Sequence, residues 1–83
     1  MNRLPKELQA LLKDLAKKAE AFYLKETRGY RNLQYGWPVI DPRTIVVRDR
    51  IATVEVRWFS TIDFGTSEPT YIHVDRFTGE ARY

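Results

Sequence analysis

Residues 51–58 read Ile51-Ala52-Thr53-Val54-Glu55-Val56-Arg57-Trp58, and from Ala52 onward apolar and polar side chains alternate. Successive side chains of a strand point to opposite faces, so this alternation predicts a strand with one buried and one solvated face. The pattern continues to residue 63. The predicted inward positions are Ala52, Val54, Val56, Trp58 and Ile62. The predicted outward positions are Thr53, Glu55, Arg57, Thr61 and Asp63, with Phe59 placing an aromatic ring on the outward side.

A second pattern, over residues 4–23, repeats with the 3.6-residue period of an α-helix. Its apolar stripe consists of Leu4, Leu8, Leu11, Leu12, Leu15, Ala19, Phe22 and Tyr23. Pro5 is tolerated in a first turn, Asn2 can cap it, and Gly29 can adopt the conformation that ends a helix. We predict a helix from about residue 3 to residue 27. Four of its side chains are expected to pack on the inward face of the sheet: Leu8, Leu11, Leu15 and Phe22.

The rest of the chain predicts further short strands. Residues 29–43 contain Gly29, Gly36, Pro38 and Pro42 and are expected to be irregular, with a short strand near 37–40. Strands are expected at 44–48, at 70–75 and at 80–83. The reversals between strands are expected near Asp49–Arg50, at Gly65–Pro69 and at 75–80, where Gly79 supplies a positive φ.

A helix with one apolar stripe and a sheet with one apolar face can bury each other's apolar side chains. We therefore predict an α+β fold in which one long N-terminal helix packs on a three- to four-stranded antiparallel sheet, in the order helix-β-β-β-β. At 83 residues the chain is expected to form a single domain, 1–83. Its content of 43% hydrophobic and 13% aromatic residues is too apolar for a disordered segment.

Composition excludes several kinds of site. The chain has no cysteine, which excludes disulfides, zinc–thiolate sites and thiol nucleophiles, and which favours a cytoplasmic location. No apolar run approaches the roughly 20 residues that cross a bilayer, so no membrane association is expected. The net charge of +3 is uneven, because residues 1–31 hold eight Lys and Arg against four Asp and Glu.

The C-terminal stretch 71–80 resembles the closing hairpin of PepSY-type domains, in which a strand is followed by Val-Asp-x-x-Thr-Gly-Glu and a short strand. The matching residues are Val74, Asp75, Thr78, Gly79 and Glu80. A similar ending occurs in small cystatin-like and NTF2-like proteins, among them some bacterial immunity proteins. This resemblance implies a helix followed by a curved antiparallel sheet. It implies nothing specific about activity.

No catalytic pattern is evident, so the chain is not expected to be an enzyme or to bind a cofactor or metal. His73 is the only histidine, and one histidine with scattered acids does not make a metal site. His73 and Asp75 share a predicted face but lie about 7 Å apart along the strand. Glu55, Asp63 and Asp75 are acids at predicted outward positions, where carboxylates are common. The chain has neither a phosphate-binding loop nor a nucleophile elbow.

Our leading hypothesis is a non-enzymatic protein-binding module, such as a small inhibitor, an immunity-type protein or a regulatory protein, that uses the outward face of the sheet. Aromatic side chains mixed with arginine are typical of interface centres. The predicted protein-binding residues are Glu55, Arg57, Phe59, Tyr71 and His73. An alternative is a nucleic-acid-binding protein that uses Lys13, Lys17, Lys18, Lys25, Arg28 and Arg31. An NTF2-like small-molecule pocket and a designed protein without natural function are further alternatives.

Overall fold

The computed structural model describes residues 5–27 and 33–83. Helix α1 spans Lys6–Thr27, and six strands follow: β1 Gly36–Val39, β2 Val46–Arg48, β3 Ile51–Ser60, β4 Gly65–Thr66, β5 Thr70–Asp75 and β6 Ala81–Arg82. A single 3₁₀ turn, Pro42–Thr44, separates β1 from β2. The fold is α+β, as predicted, with the helix packed on an open antiparallel sheet. No helix among the described residues is long and apolar enough to span a membrane.

Strand β3 is the centre of the sheet, and every pairing in the sheet is antiparallel. Along one edge of β3, β2 pairs with residues 51–53 and β1 pairs with residues 57–60. Along the other edge, β5 pairs with residues 51–56 and β4 with residues 59–60. Strand β6 pairs with β5 on its far side. The ten residues of β3 therefore fix the position of every other strand except β6.

The sheet has more strands than the three or four predicted, because both segments that flank β3 are interrupted. On the β1–β2 side, residues 40–45 separate Val39, which pairs with Arg57, from Val46, which pairs with Thr53. This segment contains the 3₁₀ turn, and its six residues are too many to pair with the three residues of β3, 54–56, that lie between the two ladders. On the other side, Ser67 forms a bulge: its N–H donates to the Trp58 carbonyl at 2.9 Å and its Oγ accepts the Trp58 N–H at 3.0 Å.

The core lies between α1 and one face of the sheet. The buried helix residues are Leu12, Leu15, Ala19 and Tyr23, and the buried sheet residues are Ala52, Val54, Val56, Trp58, Ile72 and Val74. The expectation that Leu15 is buried is confirmed. The expectation that Leu8 is buried is wrong: Leu8 is 37% exposed and all of residues 5–10 are exposed, because the sheet does not reach the first turns of the helix. Leu11 and Phe22 are half-buried beside the stripe, and the Phe22 ring contacts the Tyr83 ring at 5.0 Å.

The ends of α1 differ in part from the prediction. The helix begins at Lys6 instead of residue 3, and the Pro5 carbonyl accepts the Gln9 N–H at 2.9 Å. This start agrees with proline's preference for helix beginnings, since proline has no N–H to donate. The described part of α1 extends to Thr27. The proposed caps, Asn2 and Gly29, lie outside the described residues.

Two of the three predicted reversals are confirmed. Asp49 and Arg50 connect β2 to β3, and Asp49 adopts φ 53°, a conformation that aspartate tolerates better than most residues. In the last hairpin loop Gly79 adopts φ 81°. The Asp75 carboxylate organises that loop by accepting the N–H groups of Phe77 and Thr78 at 2.9 and 3.1 Å.

The third predicted reversal, Gly65–Pro69, is wrong. The chain turns earlier, at residues 61–64, and Gly65 already belongs to β4. The physical reason is the Ser60 hydroxyl, which accepts the N–H groups of Ile62 and Asp63 and so stabilises a tight turn directly after β3. Ile62, expected to point inward, is consequently 68% exposed.

Candidate functional site

The side of the sheet opposite α1, which we call the open face, carries outward residues of all six strands. It consists of Trp37, Val39, Val46, Arg48, Ile51, Thr53, Glu55, Arg57, Phe59, Thr66, Tyr71, His73, Asp75 and Arg82. Residues directly opposite in a ladder share a face, and the registers Trp37–Phe59, Glu55–Tyr71 and Thr53–His73 join these strands into one surface. All of these side chains are exposed or half-exposed. The five predicted protein-binding residues therefore lie together on one surface.

An aromatic pair occupies the β1 side of the open face. The ring of Trp37 lies against the ring of Phe59, with centroids 4.9 Å apart and planes inclined by 34°. Trp37 is 49% exposed, while Phe59 is half-buried beneath it. Both rings lie outside the core, because the side chains at these two strand positions are on the face of the sheet opposite the helix. Val39, next outward along β1, extends this apolar area.

Sequence reasoning did not include Trp37 among the site residues. A short strand near 37–40 was predicted, and its apolar residues 37 and 39 share one parity. Nothing in the sequence, however, specified that Trp37 pairs with Phe59, and a shift of the register by one residue would have turned its ring towards the helix. The available signal was the aromatic residue at an outward position in each of two neighbouring strands.

An internal ion pair lies in the middle of the open face. The Arg57 guanidinium contacts Glu55 Oε1, with both Nε and Nη2 at 2.8 Å, and Nη1 reaches the Ser67 carbonyl at 3.4 Å. The two residues lie at successive outward positions of β3, so the strand itself holds them together. Their charges largely cancel, the guanidinium stays accessible, and Glu55 lies opposite Tyr71, whose ring is exposed.

His73 and the nearby carboxylates have structural partners. His73 Nδ1 lies 3.0 Å from the Thr53 hydroxyl across the β3–β5 ladder. The N–H groups of Thr78 and Phe77, and then the Arg50 guanidinium at 2.8 Å, hold the pKa of the Asp75 carboxyl below its usual range. Asp75 is therefore engaged by its own hairpin and by Arg50. Among residues 5–27 and 33–83, no three His, Cys, Asp or Glu side chains are grouped so as to hold a metal ion.

The predicted nucleic-acid-binding residues lie on a different part of the molecule. Lys13, Lys17 and Lys25 are exposed on α1. Lys18 forms an ion pair with Asp14 one turn earlier in the helix, with Nζ 2.9 Å from Oδ2. Arg28 and Arg31 lie outside the described residues. Within α1 the basic side chains are thus interrupted by acids.

No protein-family model, curated protein or solved structure matches this chain. The resemblance of residues 71–80 to PepSY-type, cystatin-like and NTF2-like proteins consequently remains a prediction. The structure contributes the geometry of that hairpin: Asp75 caps the loop and Gly79 takes the positive φ, which is what such a loop requires of these two residue types.

Proposed function

We propose that this chain is a non-enzymatic protein-binding module and that its open face is the binding surface. One observation carries the proposal: aromatic and aliphatic side chains of several neighbouring strands, Trp37, Val39, Phe59 and Tyr71 among them, lie exposed or half-exposed on one surface. A contiguous apolar patch on a protein surface has an energetic cost in water unless a partner covers it.

The extent of the open face supports this proposal. Strand β3 has ten residues, so its length is roughly 33 Å at about 3.3 Å per residue. The sheet is roughly 19 Å wide at about 4.8 Å per strand where four strands lie side by side. The other strands are shorter than β3, so the sheet fills only part of this rectangle, on the order of 400 Å². A standard protein–protein interface uses about 800 Å² of each partner, so the open face can form the centre of such an interface, with its rim supplying the remainder.

The composition of the open face also supports a protein partner. Tryptophan, tyrosine and arginine are the residues most enriched among those that dominate binding energy, and all three types are present in Trp37, Tyr71 and Arg57. Lysine, which is depleted at interface centres, is absent from the whole sheet, because the last lysine of the chain is Lys25. The ion pair of Glu55 and Arg57 would supply oriented polar groups within this apolar area.

The test is affinity capture from the cells in which the chain is naturally expressed. The bait proteins are the wild type, a Trp37→Ser/Tyr71→Ser double variant and a Phe77→Ser control, with nuclease treatment in parallel. Phe77 is an exposed ring at the end of the molecule remote from Trp37, so it matches the loss of an exposed aromatic. We expect a protein that the wild type and the control retain and the double variant loses, independently of nuclease.

Two outcomes would refute the proposal. In the first, all three baits capture the same proteins to the same extent. In the second, capture depends on nucleic acid and disappears with nuclease. Thermal unfolding followed by circular dichroism serves as the folding control. The double variant is expected to stay folded, because neither Trp37 nor Tyr71 belongs to the buried cluster between helix and sheet.

A further inference from the structure

The turn that connects β3 to β4, Thr61–Phe64, exposes two large apolar side chains. Ile62 is 68% exposed and Phe64 is 81% exposed, and neither side chain belongs to the core. We call this turn the tip. It follows directly from Phe59 and Ser60, so it continues the apolar end of the open face beyond the sheet. Its side chains extend from the turn at the end of a hairpin, whereas those of the open face lie on a broad surface.

The backbone of the tip is strained at the residue with the largest exposed ring. Phe64 adopts φ 53°, in the left-handed region that glycine favours and that bulky side chains rarely occupy. Glycine is the residue most often found in this conformation, yet in this chain the glycine, Gly65, comes one residue after the strained position. A phenylalanine there lowers stability without adding burial. Such a strained residue is typical of functional positions.

Hydrogen bonds hold the tip in its conformation. The Ser60 hydroxyl accepts the Ile62 and Asp63 N–H groups at 3.2 and 3.3 Å. The Thr61 N–H and hydroxyl both donate to the Tyr35 carbonyl, at 2.8 and 2.9 Å, which ties the turn to the segment before β1. The exposed side chains are thus presented on an ordered backbone, which reduces the entropy that a partner would have to remove on binding.

The charge of the tip indicates the chemistry of its partner. The segments 33–37 and 59–66 contain no Lys or Arg, and their only charged residue is Asp63, between the two apolar side chains. Among the residues that the structure describes, none forms an ion pair with Asp63. A lipid surface is a poor match, because docking on anionic membranes requires basic side chains around the inserted residues.

We propose that the tip is an anchor that inserts Ile62 and Phe64 into a concave apolar cleft of a partner protein, where Asp63 pairs with a Lys or Arg at the mouth of the cleft. This inference deepens the proposed function and rests on it only in requiring that the partner is a protein. An exposed apolar pair at the end of a hairpin fits a concave site, and a carboxylate that forms no ion pair within residues 5–27 and 33–83 favours a cation opposite it.

A stability measurement separates an anchor from a structural side chain. Phe64→Gly removes the ring and places at φ 53° the residue that tolerates this conformation best. The midpoint of thermal unfolding should therefore stay unchanged or rise. If Phe64 stabilises the fold by packing, the same substitution lowers the midpoint, and that result would overturn the inference. Phe64→Ala, which keeps the strain and removes the ring, is the matched variant and should be no more stable than Phe64→Gly.

Site-resolved photo-crosslinking tests the partner. The photoreactive residue p-benzoylphenylalanine replaces Phe64, Phe77 or Tyr71 in turn, in the cells in which the chain is naturally expressed, and the crosslinked atoms are mapped by mass spectrometry. We expect a protein adduct at position 64 on apolar residues of a cleft with a Lys or Arg beside it, and none at position 77. Phe64→Gly should weaken binding of the partner so identified by about 30-fold or more, the effect of removing a dominant interface residue.

Several results would overturn the inference. In the crosslinking experiment these are no adduct at position 64, equal adducts at positions 64 and 77, or an adduct with a second copy of this chain. In a separate sedimentation assay, binding to phosphatidylcholine–phosphatidylserine vesicles that Phe64→Gly abolishes would also overturn it. Position 71 makes the two proposals separable. An adduct at 71 without one at 64 leaves the open face as the binding surface and removes the tip, whereas no protein adduct at either position removes both.

Discussion

Leu15→Ala is the perturbation that best tests how the helix packs on the sheet. Leu15 is 1% exposed and belongs to the cluster of buried side chains between α1 and the inner face of the sheet. Leucine-to-alanine changes at fully buried sites cost about 2.7–5 kcal/mol, and more where the neighbours cannot move into the cavity. The same cluster includes Val54 and Val56, fully buried β-branched side chains of the central strand with few rotamers, so little relaxation is expected. We expect a loss of about 3–4 kcal/mol.

A domain of 83 residues has a free energy of unfolding of roughly 4–12 kcal/mol, so this loss is at least a quarter of the total. Urea unfolding followed by tryptophan fluorescence is a suitable assay, because Trp58 is only 5% exposed and reports on the core. With a slope of about 1–1.5 kcal/mol per molar urea, the midpoint should fall by roughly 2–4 M. Leu8→Ala is the control and should cost less than about 1 kcal/mol, since Leu8 is exposed. Equal losses for Leu8 and Leu15 would refute the helix orientation described above.

Three further outcomes follow from the structure. Gly36→Ala should destabilise the fold by about 2 kcal/mol or more. The Cβ of the introduced alanine would lie 2.6 Å from Trp58 Nε1 and would also meet a carbonyl oxygen of β3. A urea midpoint equal to that of wild type would contradict this packing. Because the pKa of Asp75 is lowered in the folded state, the stability that its carboxylate contributes should be present above the usual aspartate pKa near 4 and disappear as the pH falls through the folded-state value. The difference in urea midpoint between wild type and Asp75→Asn should therefore vanish in acid. A difference that does not change with pH would contradict this. If α1 binds nucleic acid, Lys17→Glu/Lys18→Glu should abolish DNA and RNA binding at about 50 mM salt, and a wild type that shows no binding in a fluorescence anisotropy titration at that salt would remove this alternative.

The helix and the central strand could be predicted from the sequence because their patterns are local. The stripe that contains Leu12, Leu15, Ala19 and Tyr23 specifies a buried helix face regardless of what packs on it. The alternation at 51–58 likewise separates the inner and outer faces of β3. These two patterns are sufficient for the fold class, and together with the strand predicted at 70–75 they place the five predicted protein-binding residues on one surface.

The interruptions of the sheet could not be predicted, because they depend on pairing between distant segments. Nothing around Pro42 shows that residues 40–45 leave the edge of β3 and return to it. The turn at 61–64 was missed for a related reason: Gly65 and Pro69 are stronger turn signals in isolation than the Ser60 hydroxyl that caps the actual turn. The exposure of Ile62 and the pairing of Trp37 with Phe59 both depend on these long-range features.

The two tryptophans allow the central claim, that the open face binds a protein, to be tested in one spectrum. Trp37 lies on the open face and is 49% exposed, whereas Trp58 points to the opposite side of the sheet and is 5% exposed. The measurement is a ¹H–¹⁵N correlation spectrum of the labelled chain, titrated with the captured partner. We predict that the Trp37 indole N–H signal shifts or broadens strongly, together with amides of β1, β3 and β5, while the Trp58 indole signal changes little. A titration that perturbs the exposed amides of α1 and leaves the Trp37 indole signal unchanged would contradict the claim.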